Sequence, residues 1–214
     1  MARATRKQPA ARPTRADGSD RRRRVLEAAL AAITERGVAD VRMKDIAERS
    51  GMSPGHILYY FRSKADILLE VLQWNEDRFH EELRGALKRE RTPRQRLLRA
   101  IKASVPSGAG DPHWLLWLEV WAMAPYDRQL LENQQFQGRR FQDVLEVIVG
   151  EGQATGDFDA SIDAAEAAVR LSAVIDGLAI QVAVGAPGMT PRVMLRLATA
   201  EARSLLGLDS RVVS

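Results

Sequence analysis

Residues 43–68 read MKDIAERSGMSPGHILYYFRSKADIL, and their spacing decides the fold. Ile46 and Ala47 face one side of a short helix over about 42–50, and Gly51 can end it. Ser53-Pro54 starts a second short helix through about Tyr60, because Ser is a strong N-cap and Pro costs nothing at the first helical position. Ser63 followed by Asp66 has the form of a capping box and opens a longer helix through Leu68, Leu69, Leu72 and Phe79 to about Lys88. Two short helices joined by a tight turn containing Gly form a helix-turn-helix unit.

In such a unit the second helix enters the DNA major groove and its N-terminal residues touch base edges. Its exposed face is expected to carry Ser53, Gly55, His56, Tyr59 and Tyr60. Gly55 permits close approach, His56 can bond a base edge or a phosphate, and tyrosine hydroxyls commonly bond phosphates. Lys64 stands at a helix start, where free N–H groups also draw a phosphate. Leu58, Phe61 and Leu68 read as core.

This stretch resembles the DNA-binding signature of the TetR family of repressors. The likeness spans about 45 residues, with Ile46-Ala47, Gly51, Ser53, Tyr59, Phe61, Lys64 and Leu68 in the family's places. It implies Lys44, Ser53, Gly55, His56, Tyr59, Tyr60 and Lys64 as DNA contacts. Where the family often has a capping Thr that also touches phosphate, this chain has Arg42; Asp40 is then the expected cap and Arg42 the phosphate contact.

Outward from this unit, the chain reads as all-α. Before it, Val25, Leu26, Ala29, Leu30 and Ile33 make one apolar helical face over about 21–36, with Gly37 placed to end it. After it, helices are expected at about 93–105, 114–124, 127–153, 163–184 and 191–206, broken at Pro106, Pro125, Gly156 and the Gly185–Gly188 turn. No run alternates with period two long enough for a sheet. The expected division is a disordered basic arm over 1–20, a three-helix helix-turn-helix domain over 21–65, a larger helical ligand-binding and dimerisation domain over 66–208, and a tail over 209–214.

The stretches Trp114–Trp121, Glu151–Phe158 and Asp176–Gln181 resemble the C-terminal domain of BetI-like members of the family. That resemblance implies an effector pocket among the middle helices and a homodimer through about 163–206. The residues add their own argument for the dimer: from Ala173 to Val184 only Asp176 and Gln181 are polar, and a helix apolar nearly all round needs cover on every side. For the pocket, the bulky candidates are Trp74, Trp114, Trp117, Trp121, Met123, Phe136 and Phe141. Trp114, Trp117 and Trp121 recur at i, i+3 and i+7 and share a face, a pattern that suits a core as well as a pocket. Glu119 or Asp176 near tryptophan rings could favour a cationic ligand.

Charge is unevenly placed. The net charge is +4, yet residues 1–24 hold nine basic and two acidic side chains, so the rest is mildly acidic. A basic arm on an acidic body suits a polyanion met at one end; the plainer reading is a solvated tail. The chain has no cysteine, which excludes disulfides, cysteine-held zinc and thiol catalysis. The longest apolar run, Leu171–Val184, is too short for the ~20 residues of a membrane span and contains Asp176. No signal peptide is read at the basic start, and a cytoplasmic protein is expected. The three histidines, His56, His80 and His113, sit in no zinc or nucleophile motif, so no enzyme, metal or cofactor is expected. The functional expectation is a TetR-like regulator, a repressor that binds a palindromic double-stranded operator as a homodimer and is released by a small-molecule effector. The competing reading is a helical protein–protein interaction module without DNA binding.

Overall fold

The computed structural model describes the backbone of residues 15–208 and the side chains of residues 19–208. Most of the expected basic arm and the whole of the C-terminal tail lie outside the described residues. Within them the chain forms α1 (Arg15–Asp40), α2 (Met43–Ser50), α3 (Pro54–Tyr60), α4 (Lys64–Leu87), α5 (Pro93–Ala103), α6 (Pro112–Met123), a 3-10 turn (Ala124–Tyr126), α7 (Arg128–Ala154), α8 (Ala164–Ala183) and α9 (Pro191–Leu205). No strand occurs among the described residues.

Side chains cap most of these helices. Ser53 accepts from His56 N at 3.3 Å and Ser63 from Asp66 N at 3.1 Å. Thr92, Asp111, Asp127, Asp163 and Thr190 do the same for α5 to α9, each satisfying an N–H that the helix leaves free. The start of α2 differs from expectation. Asp40 does not cap it; Asp45 Oδ2 instead accepts from Arg42 N at 2.8 Å, while Arg36 holds the other oxygen at 3.1 Å. The reason is reach: Asp45 is at the third helical position, from which a carboxylate folds back onto the N-cap N–H.

α1 starts at Arg15, six residues before the expected start at Arg21. Its helical backbone breaks at Gly37, with φ 77° and ψ 159°, a conformation essentially confined to glycine. The break turns Val38 and Val41 into the core, where both are buried.

Two apolar clusters fill the interior. The first joins α1, α2 and α3 to Ile67, Leu68, Val71 and Leu72 of α4 and to Leu116, Trp117 and Val120 of α6. This core therefore runs across the boundary expected at residue 65. The second joins α5, the later parts of α4 and α7, α8 and α9. Phe158, fully buried, lays its ring on Gly152, where an added Cβ would stand 2.1 Å from a ring carbon. That close approach fixes the turn from α7 to α8.

Candidate functional site

The head presents α3 outward. Ser53, Gly55 and Tyr59 are exposed, Tyr59 at 82%, and His56 is half-buried. The His56 ring stacks on Tyr60 at 5.6 Å, and Tyr59 meets Tyr60 edge-on at 5.3 Å, so Tyr60 is a half-buried brace for the two outer rings. Leu58, read as core, is 52% exposed beside Tyr59; Ile57 takes the buried place, and helical phase turns the next residue outward. Phe61 and Leu68 are buried as expected. Arg42 and Lys44 are exposed at the start of α2, and Arg62, not singled out in the sequence, adds a cation before α4. Lys64 Nζ donates to the Ala39 carbonyl at 3.1 Å and ties the start of α4 to the end of α1. The whole set lies on α2, α3 and the turn into α4, held by the first core.

The second site is a partly open cavity of about 130 Å³ between α4, α6, α7 and α8, with Ser104 from the end of α5. An apolar cavity of ~150 Å³ is known to hold benzene, so this one suits a small ligand. Trp114, Trp117, Trp121, Phe141 and Asp176 line it, together with Glu76, Phe79 and His113. Trp74 and Phe136, expected among them, do not. Trp74 is two residues from Glu76, about 200° round α4; it packs against the first core with the Arg78 guanidinium 5.4 Å above its ring. Phe136 is 62% exposed, because Gln137 and Phe141 hold the inward phase of α7. Glu119 is likewise turned away from the Trp117 face of α6, with its Oε1 against Gly37. Met123 packs against the first core and lies outside the cavity.

Glu76 went unrecognised in the sequence, although it falls in phase with the apolar stripe of Leu72 and Leu83. It is 3% exposed and accepts from Trp117 Nε1 at 2.6 Å. Burial pushes its carboxyl up to about 7, against the pull of the Trp117 hydrogen bond and of Arg140. Burial also pushes Asp176 up to about 6. His113 Nδ1 lies 3.5 Å from Glu76 Oε1 and 2.5 Å from Asn75 Nδ2. An amide nitrogen only donates, so Nδ1 accepts there and has no proton to offer Glu76. Burial holds both His113 and His80 down at about 4. The Nε1 of Trp121, on the cavity wall, is buried with no partner. Aromatic faces, two carboxyl groups and one free donor thus converge on a single small space. Among the described residues, no group of three His, Asp or Glu side chains could hold a metal ion.

Both the head and the helices around the cavity resemble known proteins. Residues 25–71 match the family described as "Bacterial regulatory proteins, tetR family", and residues 93–207 match "BetI-type transcriptional repressor, C-terminal". An HTH-type transcriptional regulator BetI from Serratia proteamaculans is 30% identical over 164 residues, spanning 74% of this chain and 78% of the relative. One from Burkholderia cenocepacia is 28% identical over 184 residues, 83% of this chain and 90% of that protein. A transcriptional regulator from Saccharomonospora viridis, solved in complex with choline, is 35% identical with a TM-score of 0.80, covering 85% of this chain and 95% of that one. No helix among the described residues is long and apolar enough to cross a membrane. The chain belongs to the TetR family of transcriptional regulators and carries a BetI-type C-terminal domain.

Proposed function

We propose that this chain is a one-component repressor in the cytoplasm, bound as a homodimer to a palindromic operator and released by a small organic cation. The observation that carries the reading is the double role of α6. Its tryptophans line the cavity, while Leu116, Trp117 and Val120 belong to the core of the reading head. A ligand that displaces Trp117 must therefore disturb the packing under α1 and α4, and through Lys64 and Ala39 the placement of α3.

Charge and shape favour a cation. Indole and phenyl faces attract an ammonium group through the ring quadrupole, and a carboxylate in the same low-dielectric space adds to the attraction. The Saccharomonospora relative is a complex with choline, a cation of suitable size.

For the head, Ser53, Gly55, His56 and Tyr59 supply base-edge and phosphate contacts, with Leu58 set to meet a thymine methyl and Arg42, Lys44 and Lys64 near phosphates. For the dimer, α8 leaves Val169, Ala173 and Gly177 exposed along one face, continued by Gln181 and by Val184 just past its end, that the chain itself does not cover. Pairing α8 and α9 with their symmetry mates buries that face and sets the two reading helices one DNA turn apart, ~34–36 Å.

The test is a fluorescence-anisotropy titration of the chain against palindromic fragments from its own upstream DNA. Affinity should fall steeply with salt, because bound cationic side chains release counterions, and choline should dissociate the complex. Binding insensitive to salt, or no binding at all, rejects the operator reading; unaltered DNA affinity under saturating organic cations rejects the effector reading.

A further inference from the structure

The cavity holds two carboxyl groups, and among the described residues no Lys or Arg is ion-paired with either. Among the described residues Asp176 has no ion pair, and the sole ionisable neighbour within ion-pair distance of Glu76 is His113. The groups facing Glu76 can be named from each element. On α4 itself it is Asp77; His80, one turn on, lies outside the cavity lining. From α6 comes His113, neutral, with Trp117 donating its N–H. From α8 comes Asp176, and from α7 comes Arg140. Arg140 is engaged elsewhere: its Nη1 donates to Asp77 Oδ1 and to Gln137 Oε1, both at 2.8 Å. From α5, Ser104 offers its carbonyl to Trp114 Nε1 and no charge. Around His113 itself stand Asp111 and Arg78.

We propose that Glu76 and Asp176 are the paired residues that recognise ligand charge, and that an organic cation enters the cavity in exchange for a proton they hold. The inference rests on the cation reading above. Charge balances in the exchange: one positive ligand enters, one proton leaves a carboxyl for solvent, and the buried site keeps its net charge. Glu76 is buried and Asp176 half-buried, and desolvation without a cationic partner keeps them part-protonated near neutrality, at about 7 for Glu76 and about 6 for Asp176. The sensor then reads cation concentration and pH together, and it gains affinity as pH rises.

Isothermal titration calorimetry tests the exchange with choline and tetramethylammonium, whose quaternary nitrogen carries no proton. Any proton released then comes from the protein. The full-length wild type is titrated near pH 6.5 in two buffers of different ionisation enthalpy. We expect about half to one proton released per cation bound, falling toward none near pH 8.5, and an apparent Kd about tenfold tighter at pH 8 than at pH 6. Glu76→Gln keeps an acceptor for Trp117 Nε1 and should bind more weakly with little proton release. The neutral carbon isostere of choline should release none. A binding enthalpy that does not depend on the buffer overturns the exchange while leaving the cation reading intact. Undiminished proton release in a folded Glu76→Gln/Asp176→Asn double variant overturns it equally. No heat with either cation at any pH rejects the cation reading itself, and the exchange with it.

Discussion

Trp117 Nε1 of α6 donates to Glu76 Oε1 of α4 at 2.6 Å, both side chains buried, at the point where the cavity meets the core of the helix-turn-helix head. This bond joins two of the helices that line the cavity and also reach the head. Among the described residues it is also the one hydrogen bond that stabilises the charged form of the Glu76 carboxyl.

Trp117→Phe keeps the ring and removes the donor. Losing a hydrogen bond to a buried carboxyl should destabilise the fold by about 1–3 kcal/mol. Because that bond lowers the Glu76 value, its loss should move the pH midpoint of cation binding upward. Urea unfolding and a pH series of binding constants measure the two effects, and a variant unchanged in both shows that the bond has no energetic role.

Stability should carry the signature of the buried acids. Glu76 rises from 4.5 to about 7 on folding, so its contribution is complete below about pH 4.5 and is lost as pH climbs through about 7. His80 and His113 fall from 6.5 to about 4; their contribution is complete above about pH 6.5 and is lost as pH drops through about 4. Asp176, raised from 3.8 to about 6, acts in the same sense as Glu76, so two acids oppose two histidines and should leave the wild type nearly flat between about pH 4.5 and 6. Glu76→Gln lacks the acid limb and should gain on the wild type by about 2–3 kcal/mol between pH 5 and pH 8 in urea melts. Parallel pH curves for the two proteins would count against a neutral buried Glu76.

Tyr59 separates binding from folding. At 82% exposure its replacement by Ala should change stability by no more than about 0.5 kcal/mol, yet lower operator affinity by about 1–3 kcal/mol. Ser53→Ala, by contrast, should cost about 1 kcal/mol of stability through the lost cap. Thermal melts read beside anisotropy titrations distinguish the two, and full operator affinity in Tyr59→Ala removes that residue from the interface.

The exposed face of α8 should decide the oligomeric state. Ala173→Arg places a charge between Val169, 46% exposed, and Gly177 on the face left open by the protomer. Sedimentation velocity is expected to show a monomer with a lowered melting temperature, since a desolvated unpaired charge at an interface is costly. A dimer of wild-type stability moves the interface elsewhere.

Local chemistry made the head legible before any tertiary contact was known. Ser53-Pro54, Gly51 and the Ser63–Asp66 pair act within one turn of chain, and the helix boundaries they signal stand in the structure at Pro54, Gly51 and Lys64. Helical periodicity likewise marked the later helices to within a few residues, and the shared face of Trp114, Trp117 and Trp121 is the face that meets the cavity. The face a helix shows is a local property; what it meets is not. Trp74, Phe136 and Glu119 have the right chemistry on the wrong side of their helices, and Glu76 was hidden because an acid on an apolar stripe gains meaning only from what packs against it. By itself the sequence determined the all-helical chain and the helix-turn-helix, since caps, prolines and the 3.6-residue repeat act over a few residues. Only the tertiary structure decided that Glu76 and Asp176 share one cavity and that α6 serves both cavity and head, because those relations join residues far apart in sequence, and burial, which sets their charge, exists only once the helices pack.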